Sequence, residues 1–150
     1  MGNIVSIKNL TISFNENKKV VDKINIDIPK GKTVAIVGES GSGKTLSALS
    51  ILKLLPPNAA INQGEIIFNQ KDLLRLPLKE IEKIRGNRIT TIFQEPMSSL
   101  NPLHTVDKQI KEIITTHENI NNTNLKLRVK KLLKEVNLID LLDRPKLYSY

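Results

Sequence analysis

The chain has 150 residues, 23 Lys and Arg against 15 Asp and Glu, a net charge of +8, 3% aromatic residues and no cysteine. That length suits one domain with a real core, burying roughly 68–70% of its unfolded surface. A disulfide framework and a thiolate metal site are excluded, which fits a reducing cytosolic compartment, and no apolar run approaches the roughly 20 residues that cross a bilayer.

Met1 to Leu10 lacks the charged-then-apolar order of a signal peptide. The residues Ile4 to Leu10, with a continuation through Ile12 and Phe14, read as strand. A second strand holds Ile24, Ile26 and Ile28, whose alternation with Asn25 and Asp27 predicts one buried face and one wet face. Pro29-Lys30-Gly31-Lys32 turns the chain into a continuous apolar run, Val34 to Val37, the pattern of a parallel strand buried on both faces.

Residues Gly38 to Thr45 then read G-E-S-G-S-G-K-T, and Leu46, Leu49, Leu52 and Leu55 follow at helical spacing until Pro56-Pro57. Strand, glycine loop and helix in this order predict a phosphate-binding loop for a nucleoside triphosphate. Gly38, Gly41 and Gly43 free the backbone to turn its N–H groups toward the phosphates, with Glu39, Ser40 and Ser42 supplying the amides between them. The helix start carries about half a positive charge toward the same point. Lys44 adds a full charge for the outer phosphates, and the Thr45 hydroxyl is placed to ligate Mg²⁺.

Beyond Pro57 the polar stretch ending at Gly64 leads to a strand, Glu65 to Phe68, closed by Asn69-Gln70-Lys71-Asp72. Ile81 and Ile84 predict a short helix stopped at Gly86, and Ile89 to Phe93 a second buried strand. Thr105 is a candidate cap for a helix with Val106, Ile110, Ile113 and Ile114 on one face. Leu125, Val129, Leu132, Leu133 and Val136 form a second stripe, after a polar loop Asn119 to Asn124.

The positive charge invites a nucleic-acid reading. No basic stripe is interleaved with stacking residues, as a single-strand binder needs, so the charge reads as solvated surface and no nucleic-acid partner is expected.

The run Phe93-Gln94-Glu95-Pro96-Met97-Ser98-Ser99-Leu100-Asn101-Pro102 resembles the Q-loop segment of ATP-binding-cassette transporter ATPases, in the form typical of dipeptide, oligopeptide and nickel importers. Together with the phosphate loop and the stretch R-G-N-R-I-T-T-I-F-Q, the resemblance covers essentially the whole chain. It implies an α/β fold: a P-loop NTPase-type core with a small antiparallel β subdomain and an α-helical subdomain. Residues 1–93 would form the β subdomain and core, and 94–150 the Q-loop and the start of the helical subdomain. ATP and Mg²⁺ are the implied cofactors. Lys44 and Gln94 are the implied catalytic residues, and Thr45 and Gln94 the metal contacts. Gln94 also sits on the ATP side of the site in this reading, its carboxamide offering one acceptor and two donors to magnesium or the attacking water and to backbone. Phe14 is similar in position to the aromatic that stacks on adenine, and a core phenylalanine fits its place equally well.

The family implies transmembrane permease subunits, a second ATPase subunit head to tail, an indirect solute-binding protein and a peripheral place on the cytoplasmic face of the inner membrane. The family's second metal motif, its serine-glycine signature and its switch histidine do not occur in this sequence. Asp140 follows a run broken by Asn137 and is set aside as a metal ligand, and His104 and His117 precede the place of the switch histidine. The chain is therefore expected to be the N-terminal portion of a longer importer ATPase, binding nucleotide weakly and hydrolysing almost none. A non-transport cassette ATPase acting on nucleic acid or ribosomes, and a small-molecule P-loop kinase, are the competing readings.

Overall fold

In the computed structural model, residues 2–15, 18–95 and 100–140 are described. They fall into two compact units, Met1–Arg85 and Gly86–Tyr150.

The first unit is built on an antiparallel sheet of four strands, β1 (Asn3–Phe14), β2 (Lys18–Pro29), β3 (Ala59–Phe68) and β4 (Lys71–Asp72), in the order β2-β1-β3-β4. Helix α1 (Lys44–Ser50) lies between β2 and β3 in sequence, and α2 (Leu78–Ile84) follows β4. The buried side chains of β1 change parity along the strand, from Val5 and Ile7 to Leu10 and Ile12. An extra residue must enter between Ile7 and Leu10 for both pairs to reach the core, and the pairing shifts register there, with Asn9 at φ 47. β2 makes the matching change at Lys23, φ 49, so Val21 is buried on the far side of it. Side chains take up the backbone groups the bend would orphan: Asn9 N–H donates to Asn25 Oδ1, and Lys23 N–H donates to Thr11 Oγ1. Across the sheet, β3 crosses the bend at Gly64, φ 121, where a Cβ would lie 2.7 Å from Leu10 Cα. The bend therefore runs through three strands. Asn69 and Gln70, both at positive φ, form the two-residue turn that pairs Phe68 with Lys71.

The second unit contains α3 (Val106–His117) and α4 (Asn122–Glu135). Ile114, Leu125, Val129 and Leu133 are buried together, with Ile110, Ile120 and Leu132 against them. The Thr105 side chain caps α3 by accepting from Lys108 N–H at 3.3 Å, as the sequence predicts. The polar loop before α4 is shorter than expected, because Asn121 accepts from Asn124 N–H at 2.9 Å and starts the helix at Asn122.

Two predicted strands are not formed as ladders. Residues 33–37 join no sheet among the described residues, and Val37 is 88% exposed. Residues 89–93, apart from a single bridge at Ile89, do the same, with Ile92 90% exposed. An apolar run forms a buried parallel strand only when hydrogen-bonded neighbours and a covering layer meet it, and within its own unit neither run meets them. Ile113, expected on the buried face of α3, is exposed, and Val136 lies beyond the end of α4 and is exposed as well.

Candidate functional site

The loop between Val37 and α1 wraps around one side chain. Lys44, the first residue of α1, turns its ammonium back over the loop and donates to Gly38 O at 2.8 Å, Glu39 O at 2.6 Å and Ser42 Oγ at 3.3 Å. Ser42 N–H closes the turn onto Glu39 O. A single cation thus gathers the loop by two of its carbonyls and one hydroxyl.

Two glycines shape that loop for different reasons. Gly41 has φ 80 and open space where a Cβ would stand. Gly43 has φ 87 and is pressed against β2, where a Cβ would meet Val21 Cγ2 at 2.6 Å and Val20 O at 3.0 Å. Behind it, Ser47 anchors the helix start by donating from both N and Oγ to Gly43 O, each at 2.9 Å. No side chain caps the start of α1, and no acidic residue lies in its first turn. The N–H groups there keep their partial positive charge for an external anion.

Beside the loop is a cavity of about 170 Å³, bounded by Phe14 and Val20 on one side and by residues 41–46 on the other. The hairpin β1–β2 pairs Phe14 with Lys18 and so carries Val20 to the same place. Phe14 is half-buried at the end of β1 and lines the cavity. The structure thus brings together Phe14, Gly41, Ser42, Gly43, Lys44 and Thr45. Gly38 and Glu39 take part through their carbonyls, Ser40 is exposed at the loop's turn, and the Thr45 side chain is exposed beside Lys44. The donor set fits a polyphosphate: one ammonium, uncapped amides and the hydroxyls of Ser42 and Thr45, with no carboxylate among the residues that bound the cavity.

Gln94 lies in the second unit and is exposed, directly after the 89–93 segment. Pro96 to Ser99 of the string after it lie outside the described residues. Past them the chain is held by Gln109 of α3, whose Oε1 accepts from Asn101 N–H at 2.9 Å while its Nε2 donates to Asn101 O and His104 O. Asp140 is exposed, and His104 Nδ1 lies 3.6 Å from a Glu112 carboxylate oxygen. Among the described residues no three His, Asp or Glu side chains gather as a metal cluster, and no helix is long and apolar enough to cross a membrane.

Sequence reasoning missed Val20, Val21 and Ser47. Only the hairpin register signals Val20, since it places that residue next to Phe14. Ser47 has a plainer signal: a hydroxyl one helical turn after Gly43 bonds its carbonyl.

The sequence model described as ABC transporter matches residues 21–149. The chain belongs to the ABC transporter family. It is 44% identical to the peptidoglycan transport ATP-binding protein YejF of Agrobacterium fabrum, over 98% of this chain and 28% of that protein. It is 42% identical to the oligopeptide transport ATP-binding protein OppD of Bacillus subtilis, over 90% of this chain and 39% of that one. With the dipeptide transport ATP-binding protein DppD of Bacillus subtilis it shares 40% identity over 100% of this chain and 46% of that one. The chain therefore spans less than half the length of these three relatives. Among solved structures, CbiO1 of Clostridium perfringens, part of the ABC transporter complex CbiONQ, superposes with a TM-score of 0.73 at 20% identity, over 94% of this chain and 53% of that one. The ATP-binding cassette MJ0796, in a dimeric post-hydrolysis state bound to ADP and Pi, gives 0.69 at 24% identity, over 87% and 56%. The fold is that of an ABC ATPase domain, mixed α/β with an antiparallel sheet and, among the described residues, four helices.

Proposed function

We propose that this chain is the nucleotide-binding part of an ATPase that drives peptide import through a membrane transporter. One observation carries the reading: a glycine loop closed over Lys44, opening onto the uncapped start of α1 and bordered by Phe14. In this reading the amides of residues 38–45 and the Lys44 ammonium hold the phosphates of ATP. Phe14 carries the base, and the Thr45 hydroxyl ligates Mg²⁺. Bound magnesium supplies charge neutralisation to the phosphates and orders them for attack by water. Gln94 would offer its carboxamide oxygen to that metal or to the water.

The names of the oligopeptide and dipeptide transport relatives support peptides as the cargo, the first relative is named for peptidoglycan, and nickel has no such support. The partners are permease subunits gripping the region from Gln94 onward, and a second ATPase subunit across the nucleotide. Its place is the cytoplasmic face of the membrane, held there by the permeases.

A chromosomal Lys44→Ala substitution tests the whole reading. Uptake of labelled di- and oligopeptides is expected to fall to background with unchanged levels of the protein. Normal peptide uptake in that strain overturns the transport function. A defect confined to translation or DNA repair would instead assign the site to a non-transport ATPase.

A further inference from the structure

Helix α1 ends in an unusual way. Lys53 N–H bonds Ser50 O and Leu54 N–H bonds Leu49 O, the pattern of a Schellman cap, so Lys53 occupies the left-handed position at φ 51 where glycine is the ordinary choice. A side chain there strains the backbone, as glycine would not. What this lysine gains is a tie: its Nζ donates to Leu76 O at 2.7 Å, in the segment leading to α2. The return tie comes from Arg85, the cap residue after α2, whose Nε donates to Leu52 O at 2.8 Å and Nη2 to Lys53 O at 3.0 Å. Arg85 thus meets the negative end of α1, whereas the Lys53 ammonium reaches out to the segment before α2, and both residues are half-buried.

We propose that Lys53 and Arg85 are positioning residues for nucleotide binding, a reciprocal clamp that fixes the far end of α1 and through it the phosphate loop. The inference rests on the nucleotide-binding reading of that loop. Its physical basis is the shortness of the helix. Seven residues span about 10 Å, two turns that hold no stable shape alone. One end carries Lys44 and Thr45; the other is tied by three hydrogen bonds to the 76–85 segment. With so little helix between the two ends, slack at Lys53 reaches the ammonium and hydroxyl at the opposite end. Strain retained at Lys53 is what a clamp requires, since glycine would satisfy the cap and lose the tie.

The test uses this chain with the variants Lys53→Gly, Arg85→Lys and Arg85→Ala, measuring amide hydrogen exchange in residues 41–46 without nucleotide and the Kd for Mg·ATP. Lys53→Gly is expected to keep or raise the unfolding midpoint, yet to speed exchange in the loop and weaken binding, each roughly tenfold, the equivalent of about 1.4 kcal/mol. Arg85→Ala is expected to do the same, and Arg85→Lys to recover part of both losses. Should Arg85→Ala fail to fold, the other two variants decide. Unchanged exchange, or faster exchange with unchanged Kd, overturns the clamp. If exchange responds and the wild-type chain takes up no Mg·ATP, the nucleotide reading falls while the mechanical clamp stands.

Discussion

A methyl group at Gly43 would sit 2.6 Å from Val21 Cγ2 and 3.0 Å from the Val20 carbonyl, both on a strand of the central sheet. Neither neighbour can withdraw without breaking the packing of β2, so Gly43→Ala combines a collision with the strain of φ 87. Gly41→Ala bears only the strain, about 1–2 kcal/mol, because nothing stands within 4 Å of its added carbon. Urea unfolding of the two variants is therefore expected to separate them, with Gly43→Ala the less stable by at least about 1 kcal/mol. Equal losses would mean that β2 does not back the loop. This distinction was not legible in the motif, which makes the glycines alike. The motif does convey that residues 38–45 form one loop around Lys44, because the spacing alone fixes which amides precede the helix. Phe14 illustrates the opposite limit: the sequence left it between stacking and core, and its place on the cavity wall came from the hairpin register.

Helix ends carry the next level of specificity. Thr105 and Asn121 each accept a backbone N–H three residues on, at 3.3 and 2.9 Å, and so start α3 and α4. Replacing either with alanine is expected to cost the second unit about 1 kcal/mol, Asn121 somewhat more for its shorter bond, as read by exchange of the α3 and α4 amides. A null effect at Asn121 would mean that the cluster of Ile114, Leu125, Val129 and Leu133 sets the helix start without the cap. Thr105 was legible because the apolar period begins directly after it. Asn121 was hidden in a run of polar residues, where composition speaks for a loop and only the side-chain geometry picks out one cap. Strand parity was similarly hidden. Ile4 to Leu10 reads as one strand, but the extra residue near Asn9 emerges only when Val5 and Leu10 must face the same core, and Gly64 owes its place to that bend.

At the scale of the molecule, the two runs read as core strands, 34–37 and 89–93, are extended apolar segments left exposed, each within its own unit. A lone exposed leucine is ordinary on a protein surface, whereas a contiguous extended run with unpaired backbone offers both apolar area and free ladder positions to another chain. The purified chain is therefore expected to self-associate as its concentration rises, and Val37→Lys combined with Ile92→Lys to suppress this in sedimentation velocity. Since Val37 is 88% and Ile92 90% exposed, the unfolding midpoint should scarcely move. Leu127 supplies the control. It is 62% exposed, but it stands alone on α4 among Lys126, Lys130, Lys131 and Lys134, so Leu127→Lys is expected to leave the sedimentation profile as it was. If Leu127→Lys disperses the chain as well as the strand variants do, general surface charge governs association. If only Val37→Lys and Ile92→Lys act, the two extended apolar runs govern it, as their exposure within each unit predicts.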